Sequence, residues 1–210
     1  MRSAPRCSLA RPFARRAGLL VTAAAALAGA CGGADPFAPN PANNVDTEQS
    51  DLVVYPLRAA SGPLGSAVNL LALAVVRPGL TSAVAGAATI PAPNFDFAVD
   101  RAADGRVRLL PSRLVVDLTG VGQAYRTAFQ TSTAQYDSIA EAPANGYQAD
   151  TLAATVGVNE PVIVQAQSGA CNAFYAKIVV VAIDPASGAV TLRARINPNC
   201  GFRSLRPGRG

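Results

Sequence analysis

From Asp51 onward the apolar runs of this chain are short, and nearly all of them stop at Gly, Pro, Asn or Asp. A strand needs only about four to eight residues between turn signals, whereas a helix needs about ten or more with an unbroken 3.6-residue period. That punctuation, with 18 Gly and 16 Pro in 210 residues, predicts an all-β fold. The expected architecture is a single antiparallel β-sandwich or partly open barrel built from hairpins, with one or two short helices.

The individual runs follow from the same signals. Leu52 to Leu57 is a predicted first strand and Ser61-Gly62-Pro63 a turn. Ala67 to Val76 is ambiguous: Leu and Ala permit a helix, Val75-Val76 prefer a strand, and Pro78-Gly79 stops either. Phe95, Phe97 and Val99 alternate with Asp96, Ala98 and Asp100, which predicts a half-buried strand with both carboxylates in water. Ala103-Asp104-Gly105 turns that strand into Val107 to Leu110. Leu114 to Leu118 and Val162 to Gln167 are read as further strands, and Tyr136 to Glu141 as one short helical turn ended by Pro143. The strongest signal is a hairpin, Tyr175 to Ile183 and Ala189 to Ile196, around the loop Asp184 to Gly188. Val190, Leu192, Ala194 and Ile196 share its dry face, and Thr191, Arg193 and Arg195 its wet one.

The first thirty residues have another character. Met1 to Arg16 is arginine-rich and acid-free, and Ala17 to Ala30 is apolar but too short to span a bilayer core that needs roughly 20 helical residues. Together they fit a signal peptide for general secretion. Leu27-Ala28-Gly29-Ala30-Cys31 resembles a bacterial lipobox, which implies that Cys31 is acylated and becomes the mature N-terminus. Leu27 stands one place earlier than the commoner pattern puts it. Gly32 after that cysteine resembles the default outer-membrane sorting pattern. Residues 31–50 then form the lipidated cysteine and a flexible tether of Gly, Pro and Asn, and residues 51–210 the β-rich domain.

Dividing the chain this way changes the meaning of its charge. The net +5 comes from Arg2, Arg6, Arg11, Arg15 and Arg16; without them bases and acids balance at 13 each, interspersed along the domain. A nucleic-acid partner is therefore not expected. The expected partner is the lipid bilayer through the anchor, with a protein or small-molecule partner unidentified.

Four cysteines are present, and with Cys7 in the leader and Cys31 lipidated, Cys171 and Cys200 remain. They flank the loop Asp184–Gly188 symmetrically, so antiparallel pairing brings them toward each other in an oxidising compartment. A disulfide is expected. Two thiols without histidine make poor zinc ligation.

The chain has no His and no Trp. That removes Ser-His-Asp and Cys-His catalysis and the usual haem ligand. No phosphate-binding loop, nucleophile elbow or calcium loop is present. Gly120-Val121-Gly122 begins like a dinucleotide fingerprint, but Tyr125 stands where the third glycine belongs. Asp96 and Asp100 lie about 13 Å apart along an extended strand, too far for a glycosidase pair. Lys177 is the sole lysine of the chain and is read as structural rather than as half of a Ser–Lys dyad. No catalytic residue, cofactor or metal is expected.

Several segments are similar to the HmuY-type haem-binding lipoproteins of bacterial surfaces. Phe95-Asp96-Phe97-Ala98-Val99 resembles that family's early aromatic-Asp strand, with Phe in place of its usual Trp. Tyr136-Asp137-Ser138-Ile139, Ala142-Pro143, Gly146-Tyr147 and Asp150-Thr151 follow in similar order, and Val162-Ile163-Val164 with Tyr175-Ala176-Lys177-Ile178 resembles its paired late strands. The resemblance covers about half of the mature chain and implies an all-β lipoprotein domain. It carries no haem chemistry, because the family's His or Met ligands have no counterpart after residue 31. The sequence therefore leads to a cell-envelope lipoprotein with a non-enzymatic binding or structural β domain. A carrier of small apolar ligands on a haemophore-like scaffold is the alternative, and an enzyme using carboxylate, Tyr, Ser or Lys chemistry the third.

Overall fold

Hairpins recur along the chain, and those at Ala102–Arg106 and Asp184–Ala189 turn on the Asp and Gly that such turns favour. The computed structural model describes residues 47–58, 64–85, 88–118, 125–168 and 171–207, all within one compact unit, Pro39–Gly210. The described residues form twelve strands in three antiparallel sheets. The first sheet runs β1 (Thr47–Val54), β12 (Val190–Asn197), β11 (Cys171–Ile183), β10 (Val162–Ser168) and β8 (Tyr125–Thr131). The second runs β3 (Ala74–Val76), β2 (Ala67–Asn69), β6 (Phe97–Arg101), β7 (Val107–Pro111) and β9 (Ala154–Val156). The third is the hairpin β4 (Leu80–Ala85) and β5 (Ala88–Pro93). None closes into a barrel.

Both five-stranded sheets contribute to one core: Val54, Phe129, Val164, Ile178 and Leu192 from the first, Val68, Phe97, Val99 and Leu109 from the second. Phe97 and Phe129 meet edge to face across it with ring centroids 6.0 Å apart. The sheets therefore face each other as a sandwich, the first of the two expected architectures. Phe97, Phe129 and Phe174 are fully buried, each contributing about 1.5–3 kcal/mol of transfer free energy.

The expected C-terminal hairpin is present, and its loop explains itself. Asp184 accepts from the Ala186 N–H (2.8 Å) and from the Ser187 hydroxyl (2.6 Å), while Gly188 takes φ +72°. The Ser187 hydroxyl, helped by the Ala186 N–H, holds the Asp184 carboxyl below its ordinary pKa.

Several expectations are corrected. The first strand is Thr47–Val54 rather than Leu52 to Leu57, since Thr47, Glu48 and Gln49 pair with Ile196, Arg195 and Ala194 of β12. Ala67–Val76 is neither one helix nor one strand but the hairpin β2–β3. Asn69 turns it by accepting from the Ala72 N–H (3.0 Å), a local bond that competes with helix. Residues 114–118 are not a strand. Ser112–Leu114 is a single 3-10 turn, and the Ser112 carbonyl accepts from both Val115 and Val116, which curls the chain. Val115, Val116 and Leu57 then pack with Ala98, so β6 is buried on both faces rather than one. Asp100 consequently lies 4% exposed instead of in water, with Arg58 Nε 3.3 Å away. The helical turn expected over Tyr136 to Glu141 is shorter, a 3-10 turn over Tyr136–Ser138 after which Ile139 is extended and Glu141 bridges Ser204. Ser61-Gly62-Pro63 and Gly120-Val121-Gly122 lie outside the described residues.

Candidate functional site

The outer face of the first sheet holds two groups of polar side chains that converge from several elements. On β10, Val162, Val164 and Ala166 point to the core, so Ile163, Gln165 and Gln167 point outward. On β11, Phe174, Ala176 and Ile178 point to the core and Tyr175, Lys177 and Val179 outward. The middle of this outer face is covered by residues 136–147 and by the C-terminal segment. Ile139, Ala142, Ile163, Tyr175 and Leu205 make a second apolar cluster there. Backbone bonds join the two covering segments, Ala142 N–H to the Arg203 carbonyl (2.8 Å) and Leu205 N–H to the Ala140 carbonyl (2.9 Å).

Lys177 lies under this cover and is 2% exposed, which the one-wet-face reading of the hairpin did not provide for. Its ammonium donates to the carbonyls of Tyr136 (3.0 Å) and Ile139 (2.9 Å) and sits 4.7 Å from the Tyr136 ring centroid. Arg193 lies over the same ring at 4.4 Å. Glu48 accepts from both Arg193 and Arg195, and Arg193 reaches Asp137 at 2.9 Å. Arg195, expected on the wet face, is buried at 8% exposed. Burial, then Arg195, lowers the Lys177 pKa, while Glu48 and Asp137 oppose the fall. Burial, then Glu48, raises that of Tyr136. Beside this cluster a groove of about 570 Å³ opens between Tyr136, Asn159, Val179, Val181 and Arg193.

The second group lies toward β8. Arg126, Gln165, Gln167 and Asn172 project from three adjacent strands, and Tyr147 and Gln148 close the furrow from the covering segment, around about 460 Å³. Tyr147 is fixed by donating to the Pro143 carbonyl (3.1 Å), and its ring lies 6.2 Å from that of Tyr175. Gln165 Nε2 donates to the Tyr175 hydroxyl at 3.2 Å. Arg126 Nε is held 3.2 Å from Asp150, which also pairs with Arg113 at 3.0 Å. This furrow was not anticipated from the sequence. Its one linear signal is the alternation Ile163, Gln165, Gln167.

The other sequence candidates fall as follows. Cys171 and Cys200 are joined, with Cα atoms 5.5 Å apart, which ties the C-terminal segment to the start of β11. Cys31 lies outside the described residues. Asp96 accepts from the Leu70 N–H at 2.6 Å; burial raises its carboxyl to about 6, against the lowering effect of that bond. It stays apart from Asp100, whose ion-pair partner is Arg58. Among the described residues no three of His, Cys, Asp or Glu converge as a metal site requires. Val162–Val164 and Ala176–Ile178 pair directly, Val162 opposite Ile178 and Val164 opposite Ala176. No protein family, curated protein or solved structure matches this chain.

Proposed function

We propose that this protein is a cell-envelope lipoprotein, anchored to the outer membrane through Cys31, whose β-sandwich binds a partner without catalysing a reaction on it. The observation that carries the non-catalytic part is the condition of Lys177. Its ammonium is buried and already donates to two backbone carbonyls. A lysine so held is a strut, not a nucleophile or base, since either role needs a free lone pair facing substrate. Glu48, Arg193 and Arg195 are likewise engaged with one another. The space between the sheets is filled by Phe97, Phe129 and Phe174, which favours contact on the outer surface over an internal apolar cargo. The anchor rests on the short apolar run ending in Ala30-Cys31-Gly32.

Fractionation of cells expressing the full chain tests the anchor. The parent protein is expected with the membranes and Cys31→Ser in the soluble exported fraction. Unchanged partitioning of Cys31→Ser overturns the assignment.

A further inference from the structure

We propose that the furrow formed by Arg126, Tyr147, Gln148, Gln165, Gln167 and Asn172 binds a neutral oligosaccharide. This names the partner class of the binding domain and rests on that reading. Four of the six side chains are primary amides, each offering two donors and one acceptor oxygen. Among the described residues the side chains of Gln148, Gln167 and Asn172 have no intramolecular hydrogen bond, and Gln165 uses only its Nε2. A row of sugar hydroxyls, each both donor and acceptor, is the complement of such a set.

Other ligand classes fit less well. An apolar ligand would strip water from four amides and return no hydrogen bonds, an unfavourable exchange. Ordinary small-molecule pockets are mostly apolar with a few polar groups, the reverse of this lining. A strongly anionic ligand would find one guanidinium, and Asp150 already opposes its charge. Tyr147 supplies the aromatic surface on which the C–H face of a pyranose can rest, held in place by its bond to Pro143. On its β8 side the furrow rests on a regular ladder, from Val162 opposite Thr131 to Ser168 opposite Tyr125, while the β10–β11 ladder shifts register between Ala166 and Ser168.

The test uses the full-length protein in a zwitterionic, sugar-free detergent, titrated calorimetrically with hexasaccharides of α-linked glucose, β-linked glucose and N-acetylglucosamine. Binding to at least one is expected, weakened tenfold or more by the double variant Gln148→Ala/Asn172→Ala, whose side chains are exposed. Gln135→Ala, at the opposite groove, is expected to leave binding unchanged. Absence of binding to all three, or binding that the double variant does not weaken, overturns the oligosaccharide site and leaves the anchored, non-catalytic reading intact. Release of new reducing ends from a bound hexasaccharide overturns the non-catalytic reading and leaves the furrow standing.

Discussion

Toward β1 and β12, the outer face of the first sheet carries Lys177, Arg193, Arg195, Glu48 and Asp137, and the contacts described above join them to one another, to Tyr136 or to backbone carbonyls. Toward β8, the same face carries the exposed Gln148 and Asn172 and the half-buried Gln165 and Gln167, with most of their hydrogen-bonding capacity unengaged. The difference follows from cover. The segment 136–142 lies over Lys177, which is buried together with Arg195, and a buried charge persists only when paired and hydrogen-bonded. The amides are neutral and at least partly in contact with water, so no such requirement applies to them. Near β1 and β12 the charged side chains hold one another and the covering turn, whereas toward β8 the neutral amides beside Arg126 are left available to a partner.

The largest expected effect is on the cover itself. The Cys171–Cys200 bridge closes a sequence separation of 29 and pins the segment that pairs with residues 140–142. In the chain-entropy account such a loop contributes about 3–4 kcal/mol. Reduction is expected to lower the unfolding free energy by about 2–4 kcal/mol, read from urea unfolding with the slope fitted separately for the oxidised and reduced forms. A loss below about 1 kcal/mol would mean that the covering segments hold without the bridge.

Lys177→Met tests the charged end more narrowly. The thioether keeps the length of the chain but leaves the carbonyls of Tyr136 and Ile139 without their donor and removes one cation from the Tyr136 ring. The expected destabilisation is about 2–3 kcal/mol, the range for losing buried charge-assisted hydrogen bonds. Stability within about 0.5 kcal/mol of the parent would show that Lys177 is not a strut, and would reopen a chemical role for it.

How much of this was legible in the sequence depends on how far apart in the chain the partners lie. The β11–β12 hairpin was readable because Val190, Leu192, Ala194 and Ile196 alternate toward one core, and its loop carries the Asp and Gly that the turn uses. The disulfide followed from the symmetry of two cysteines about that loop. The burial of Lys177 was not readable. A period-2 pattern assigns a charged residue to the wet face, and the residues covering it lie 38 and 41 positions away. Strand β8 was missed for another reason: Phe129 is its only large buried side chain, so the run lacks a visible dry face. The furrow was invisible because its amides come from β10, β11 and the covering segment, and glutamine carries no motif of its own.

The smallest expected effect sharpens the comparison most. Gln148 and Asn172 are exposed, and their side chains have no partner among the described residues. Replacing both by Ala removes neither a packed atom nor an internal hydrogen bond, so the unfolding free energy should stay within about 0.5 kcal/mol, the usual range for such surface sites. Lys177→Met should behave in the opposite way, costing stability while leaving the furrow's lining side chains in place. If the double variant instead destabilises the domain by more than about 1 kcal/mol, the amides belong to the scaffold as Lys177 does, and the division of the outer face into a bound end and an open end fails. Urea unfolding of both variants beside the parent distinguishes these outcomes, because a side chain reserved for a partner contributes to affinity and not to the fold.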